Sequence, residues 1–278
     1  MLDMLALPFA RRAGKLARLA ALAVALVCWG VLPARADYDT GLKAYQAGDY
    51  QAAIEAWTPL AAAGDAQSQY NLGALYAGGL GVVPDLVIAA QWFGRAARQG
   101  HALALYNLGV MYAEGLGISA NPDAALQMMK LAASAEVPEA QNELGEFYRY
   151  GRGVAVDYLE AFKWYRRASD QGLAEAERNI GVLYRDGLGV APDATEAARW
   201  FKRAAEHGYG LAQAELGQAF AQGEGVPLDF ASAYFWLRLA ERGGVSDREG
   251  WTALAERSLS EEERAELDRA LERWRPAP

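Results

Sequence analysis

The feature that most constrains this chain is a segment that recurs every 36 residues. The stretch at 70 to 82 reads "YNLGALYAGGLGV", and the stretch at 106 to 118 reads "YNLGVMYAEGLGI". One glycine, here called the reference glycine, recurs in register at Gly73, Gly109, Gly145, Gly181 and Gly217. A fixed period in this range is typical of stacked arrays, in which each unit buries its apolar face against its neighbours.

Each copy predicts a pair of helices joined by a glycine loop. An aromatic residue follows each reference glycine by three, at Tyr76, Tyr112, Tyr148, Tyr184 and Phe220. Two glycines come next in every copy, which favours a positive φ just past a helix end. A second helix is predicted to start at the acceptor side chains of Asp85, Asn121, Asp157, Asp193 and Asp229. Alanines at 3–4 spacing around a bulky residue predict one apolar face on that helix.

These residues carry a family resemblance. The pattern A-x-x-x-x-L-G-x-x-Y-x-x-G-x-G-V-x-x-D-x-x-x-A-x-x-W-x-x-x-A over residues 66 to 244 resembles the Sel-one-like repeat family, a relative of the tetratricopeptide repeats. The preceding segment, residues 37 to 65, resembles a tetratricopeptide helix pair because of its short Gly48-Asp49-Tyr50 turn. Residues 245 to 278 are expected to close the array, with Ser260 and Glu263 forming a capping box.

The fold expected from these features is an all-α, right-handed α/α solenoid. It has about six helix-turn-helix repeats and a C-terminal capping helix. The copy from 109 to 144 departs most from the pattern, since Met128-Met129 replaces a Trp-aromatic pair, Glu136 takes a helix-end glycine position and Pro138 enters the next turn. Two interpretations account for this departure. One is sequence drift in a single repeat, and the other is a bend or contact patch built on adaptable methionines.

The N-terminus predicts export. Basic residues precede the apolar run "LAALAVALVCWGVLP", and Ala34-Arg35-Ala36 supplies a small-x-small cleavage site, so residues 1 to 36 are predicted to be a signal peptide cut after Ala36. An uncleaved N-terminal anchor is the alternative. The expected location is the periplasm or outside the cell, with no membrane span after cleavage.

Charge and residue types limit the possible functions. Removing residues 1 to 36 would leave 22 basic and 34 acidic residues, a net charge of −12 that does not suit nucleic-acid binding. His101 and His207 are the only histidines and Cys28 is the only cysteine, so neither a metal site nor a nucleophile–histidine pair is predicted. No cofactor and no catalytic residue are predicted.

A partner-binding groove is the predicted functional site. If the first helix of each repeat lines an inner face, as in tetratricopeptide solenoids, positions around the reference glycine point into that groove. The residues assigned to it are Tyr70, Asn71, Tyr106, Asn107, Asn142, Glu143, Glu146, Arg149, Arg178, Asn179 and Arg185, with Glu215 and Gln218 at equivalent positions. Asparagine amides in such a groove can hold the backbone of an extended peptide. A merely solvated helix face is the alternative interpretation.

The resemblance implies a non-catalytic scaffold or adaptor that binds another protein or an extended peptide segment. Members of the family include periplasmic regulators of signalling receptors and components of polysaccharide-export assemblies. Two alternatives stay open at this point: a cell-wall or β-lactam-type hydrolase, and a glycan-binding module that would need Tyr70, Tyr106 and Tyr150 exposed. The sequence does not select an oligomeric state.

Overall fold

The computed structural model describes residues 32–247 and 249–277, and within them the chain consists of helices and connecting loops, without a strand. Most of the predicted signal peptide therefore lies outside the described residues. The fourteen described helices are α1 Leu32–Gln46, α2 Tyr50–Ala62, α3 Ala66–Gly78, α4 Leu86–Ala97, α5 Ala102–Glu114, α6 Pro122–Ser134, α7 Pro138–Tyr150, α8 Tyr158–Asp170, α9 Ala174–Asp186, α10 Ala194–Glu206, α11 Gly210–Gln222, α12 Phe230–Arg242, α13 Trp251–Arg257 and α14 Glu261–Arg273.

Side-chain caps start the second helix of each repeat, as predicted. The carboxylate of Asp85 accepts hydrogen bonds from the backbone N–H groups of Val87 and Ile88, both at 2.9 Å. The equivalent residues Asn121, Asp157, Asp193 and Asp229 cap α6, α8, α10 and α12 in the same way. These bonds satisfy N–H groups that have no partner inside the helix.

The glycine loops are also confirmed. Gly187 ends α9 with φ +66°, and its N–H donates to the Leu183 carbonyl. Gly225 shows a second reason for glycine, since a Cβ built there would lie 1.9 Å from the Ala194 carbonyl oxygen. The loop of one repeat therefore lies against the start of α10 in the previous repeat, and no other residue type fits at this position.

Small residues of the first helix pack against large residues of the second helix. The reference glycine does not face the tryptophan position but the residue after it, since a Cβ at Gly145 would lie 2.5 Å from Tyr165 Cε1 and one at Gly181 would lie 2.6 Å from Phe201 Cε1. Tyr165 is fully buried and Phe201 is 4% exposed. The 3.6-residue period fixes a helix face but not which of two adjacent bulky residues points at the neighbour.

The chain divides into two compact units between Val137 and Pro138. In the first unit, α1 and α2 pack around Trp57, which is 2% exposed and donates from Nε1 to the Tyr38 carbonyl at 3.2 Å. In the second unit, α13 and α14 cover α12 through Trp251, Leu271 and Trp274. The Ser260–Glu263 capping box that starts α14 is present.

Consecutive helix pairs therefore build an all-α repeat solenoid, as predicted. None of the described helices has the length and apolar character needed to cross a bilayer.

Candidate partner-binding surface

The predicted groove residues lie on the first helices of four repeats. In the first unit, α3 carries Tyr70 and Asn71, and α5 carries Tyr106 and Asn107. In the second unit, α7 carries Asn142, Glu143, Glu146 and Arg149, and α9 carries Arg178, Asn179 and Arg185.

The asparagines are buried and bind other side chains of the chain. In the second unit, Asn179 Nδ2 on α9 donates to Asn142 Oδ1 on α7 at 3.0 Å, and the two residues are 5% and 2% exposed. In the first unit, Asn71 accepts from Gln67 at 3.0 Å and donates to the Tyr38 hydroxyl at 3.3 Å. The amides therefore join neighbouring helices, and their role in holding a peptide stays a prediction.

Asn107 is the exception among these amides. It is fully buried, and neither its Oδ1 nor its Nδ2 has a hydrogen-bond partner within the described residues. Leaving such an amide unsatisfied costs about 1–3 kcal/mol. Packing in the interior therefore does not account for an asparagine at position 107.

The three tyrosines named for glycan binding differ in exposure. Tyr70 is fully buried and stacks on His101, with ring centroids 4.6 Å apart, and Tyr106 is 8% exposed. Tyr150, at the last position of α7, is 54% exposed. Only Tyr150 offers its ring to a ligand.

A charged network covers the first-helix side of α9 and α11. Arg178 reaches across from α9 and makes a two-pronged contact with Glu215 on α11, with Nε 2.9 Å from Oε2. Burial by itself would lower the pKa of Arg178, but the hydrogen bonds and charge of Glu215 outweigh it and raise that pKa. Arg185 lies 3.3 Å from the same carboxylate and 2.7 Å from Asp186. Both guanidiniums are therefore held in fixed positions.

Glu146 continues this network on α7. The buried hydroxyl of Tyr165 donates to its carboxylate, and Arg149 lies 3.8 Å from the same oxygen. Burial, followed by the negative charge of Glu146, raises the pKa of the Tyr165 phenol, so the tyrosine stays a hydrogen-bond donor. The side chains of Glu146 and Arg149 are 20% and 12% exposed. Glu146 is held by Tyr165 and Arg149, and Arg149 is held by Glu146.

Together these side chains form what we call the first-helix face of the second unit, defined by Glu146, Arg149, Arg178, Arg185 and Glu215. Arginines and carboxylates alternate on it, so its chemistry is that of hydrogen bonding and charge pairing. Within the described residues, no group of three or more His, Cys, Asp or Glu side chains is placed to hold a metal ion.

Sequence reasoning missed a cavity of about 220 Å³ at the end of this face. It lies between α11, α12 and the segment before α13, and its lining includes Gln218, Glu249 and Trp251. Glu249 accepts from Gln218 at 3.2 Å and from Trp251 Nε1 at 2.7 Å. The segment lies outside the repeat pattern, so the period gave no signal for it.

Comparisons with known proteins agree with this architecture. The family model described as Sel1 repeat matches five consecutive segments, at residues 66–101, 102–137, 138–173, 174–209 and 210–245. A Sel1 repeat protein from Oxalobacter formigenes is similar in structure, with 32% sequence identity, a TM-score of 0.75, and coverage of 87% of this chain and 98% of that one.

Two further solved structures resemble the chain more weakly. A putative Sel1 repeat protein from Klebsiella pneumoniae is 22% identical, with a TM-score of 0.46 over 77% of this chain and 96% of that one. An immunity protein from Pseudomonas aeruginosa is 22% identical, with a TM-score of 0.47 over 84% of this chain and 83% of that one. No curated protein matched.

Sel1 repeat proteins mediate protein–protein interactions, on a scaffold that is typically non-catalytic. The five matched repeats and the likeness to the Oxalobacter protein show that this chain belongs to the Sel1 repeat family.

Proposed function

We propose that this protein is a non-catalytic scaffold that binds another protein through the first-helix face of its second unit. The observation that carries the proposal is the network in which Glu215 holds Arg178 and Arg185 across two repeats. Charged side chains fixed before binding lose little conformational freedom when a partner docks, which favours recognition.

Exposure supports the same face. The side chains of Arg185, Arg178 and Glu146 are 43%, 23% and 20% exposed. Each is therefore accessible to solvent in part, while an ion pair holds its charged group in place. Both signs of charge alternate there, which suits the mixed donors and acceptors of a polypeptide segment better than a polyanion.

We further propose that the scaffold works in the periplasm or outside the cell, after removal of residues 1–36. The support is the sequence pattern around Ala34-Arg35-Ala36. In such a compartment, an envelope signalling receptor or a polysaccharide-export assembly is the proposed setting. The proposed segments stay as expected from the sequence: 37–65, 66–244 and 245–278.

Glycan binding is a second candidate because one observation favours it. The Tyr150 ring is 54% exposed, and aromatic faces are common platforms for apolar ligand surfaces. Tyr70 and Tyr106 are buried, so a glycan would meet one ring in place of the expected row of three.

A crosslinked pull-down tests the scaffold proposal. The test variant is Arg149→Ala with Arg185→Ala, because alanine occupies the equivalent positions 77, 113 and 221 and the helices should tolerate it. The control is Arg199→Gln, at an exposed second-helix position where positions 91 and 127 are glutamine. We expect one protein to be captured by the wild type and the control and lost by the test variant, at equal helicity.

Equal capture by all three proteins would contradict the assignment of the face. Capture of no protein, together with retention of glycan, would contradict the scaffold function itself.

A further inference from the structure

Tyr150 breaks the repeat at a surface position. The equivalent residues in the other four copies are Gly78, Glu114, Asp186 and Gln222, all small or polar. Among the residues whose side chains the structure describes, 38–247 and 249–277, Tyr150 is the only exposed aromatic residue. An exposed ring at a position that the fold does not require to be apolar calls for a reason other than packing.

Two arginines flank this ring. The guanidinium carbons of Arg149 and Arg152 lie 5.0 Å and 5.4 Å from its centroid, within the range of cation–π attraction. Arg152 also breaks the repeat, since Leu80, Leu116 and Leu188 occupy the equivalent positions in three other copies. Arg152 is exposed, and no carboxylate pairs with its guanidinium within the part of the chain that the structure describes.

Apolar surface adjoins the cations. Val156 is 52% exposed and lies against Gly151, where a built Cβ would be 3.0 Å from Val156 Cγ2. We call Arg149, Tyr150, Arg152 and Val156 the Tyr150 patch. It places an exposed ring, an unpaired positive charge and an aliphatic side chain side by side.

We propose that the Tyr150 patch docks an acidic segment of the partner protein that carries an aliphatic or aromatic side chain. This inference rests on the proposed scaffold function and names the chemistry of the partner. A carboxylate pairs with Arg152, and the apolar side chain packs on the Tyr150 ring and Val156.

Charge complementarity selects an acidic segment, because the patch presents cations on a protein whose net charge is −8. Tyrosine and arginine are also, with tryptophan, the residue types enriched at interface positions that contribute most to binding. The ring has few rotatable bonds and already contacts both guanidiniums, so little side-chain freedom is lost on docking.

The test measures fluorescence anisotropy with three labelled heptapeptides. The probe is Glu-Glu-Tyr-Glu-Leu-Glu-Glu; one comparison peptide replaces every Glu by Gln, and another replaces Tyr and Leu by Ala. Tyr150→Gln and Arg152→Leu restore residue types already present at the equivalent positions 222 and 188, so both should fold. The matched control is Arg199→Gln, which removes one exposed positive charge from α10.

We expect the probe to bind the wild type and Arg199→Gln with dissociation constants within about twofold of each other. Tyr150→Gln and Arg152→Leu should each weaken binding by about fivefold or more, the scale of one hot-spot contact. Both comparison peptides should bind more weakly than the probe.

Four results would overturn the inference: no probe binding, equal binding of the Gln peptide, an equal loss in Arg199→Gln, or a dimer by light scattering that Arg152→Leu abolishes. The last result would make a second copy of this chain the occupant. If the pull-down partner is captured equally by Tyr150→Gln and Arg152→Leu, the patch is wrong while the scaffold function stands. If the wild type captures no protein, the scaffold function fails.

Discussion

At the scale of single residues, backbone conformation explains why glycine recurs at the turn positions of the repeat. The turn between repeats uses a glycine with positive φ at positions 64, 100, 172, 208 and 244, whereas the repeat at 102–137 has Glu136 with φ +59°. Glu136 is the only described non-glycine residue with a positive φ. A side chain in the left-handed region costs about 1–2 kcal/mol, so this copy is less stable there than its neighbours.

We predict that Glu136→Gly stabilises the protein. The gain should be about 0.5–1 kcal/mol, because the relief of strain exceeds the added flexibility of the unfolded chain. The control is Gly172→Ala, which should destabilise by about 1 kcal/mol for conformational reasons alone, since a Cβ there meets no atom within 4 Å. Urea unfolding measures both changes, and a Glu136→Gly protein less stable than the wild type would contradict the account.

The reference glycines should differ in their tolerance of alanine. Gly145→Ala places a Cβ 2.5 Å from the rigid Tyr165 ring, so we expect a loss of about 2–3 kcal/mol. Gly109→Ala meets the flexible end of Met129 at 3.1 Å and Met128 Cβ at 3.2 Å, both longer contacts than the one at Gly145, and should cost about 1 kcal/mol less. The free energy of unfolding of the two variants checks this order, and equal losses would refute it.

Caps and turn glycines were predictable from the sequence, whereas the exposure of the asparagines was not. The positions of Asn142 and Asn179 relative to the reference glycine predict the helix face on which they lie, and we interpreted that face as the groove. Their burial depends on the side chain that each meets on the neighbouring helix. The two amides occupy different positions of the repeat and become partners only when α7 and α9 are stacked.

At the scale of helices, a buried amide joins successive elements. Gln213 Nε2 on α11 donates to the Ala205 carbonyl at the end of α10, at 3.2 Å. Gln69 makes the equivalent bond to Ala61 at 2.9 Å and also accepts from Gln99 at 2.8 Å. The bonds to Ala61 and Ala205 give each of these helix-end carbonyls a second donor beside the backbone N–H of Gly64 or Gly208.

The equivalent position on α9 is Glu177, which cannot donate that bond. Arg203 replaces the missing donor: its Nη2 donates to the Ser169 carbonyl at 3.2 Å, and its Nε lies 2.6 Å from Glu177 Oε1. His207 Nδ1 lies 2.9 Å from the other carboxylate oxygen. Glu177 is fully buried, so Arg203 and His207 are the polar partners that stabilise its carboxylate there.

A double-mutant cycle should reveal this dependence. Arg203→Leu alone should cost about 3–5 kcal/mol, because it removes the arginine partner of a buried carboxylate. In a Glu177→Gln background, where the amide can donate to Ser169 itself, the same change should cost about 1 kcal/mol or less. Equal costs in the two backgrounds, measured by chemical denaturation, would show that the pair is not coupled.

The start of α5 should make stability depend on pH. His101 Nδ1 accepts from the Ala104 N–H at 3.2 Å, and Nε2 lies 3.1 Å from Gln67 Oε1, so the neutral imidazole caps the helix. Burial lowers the His101 pKa. Because the folded pKa lies below the unfolded value of 6.5, this contribution is fully present above pH 6.5 and is lost as the pH falls through the folded pKa.

The control is His101→Asp, since Asp65 caps α3 at the equivalent position with a bond of 2.7 Å to the Ser68 N–H. An aspartate cap stays ionised to about pH 4, so this variant should lose less stability than the wild type as the pH falls below about 6.5. Thermal unfolding at several pH values compares the two, and parallel pH profiles would contradict the role of His101.

At the scale of the whole molecule, the fold was predictable from the 36-residue period because every repeat buries its apolar face against its neighbours in the same way. Five copies in register supplied helix starts, helix ends and apolar faces at once, and these agree with one another. The functional surface was only partly predictable, since it consists of departures from the pattern. Arg149 and Arg185 were assigned from their register, whereas Arg152 and the cavity beside Trp251 needed the structure.

The claim that a partner protein contacts the first-helix face of the second unit has one direct test. Photo-crosslinking p-benzoylphenylalanine would replace Arg185 on this face, Tyr150 in the Tyr150 patch, which shares Arg149 with it, or, as the control, Arg199 on the exposed side of α10, in cells that express the protein. We predict that positions 150 and 185 crosslink to the same protein and that position 199 does not. Crosslinks from position 199 alone would contradict it and move the interface to the second helices.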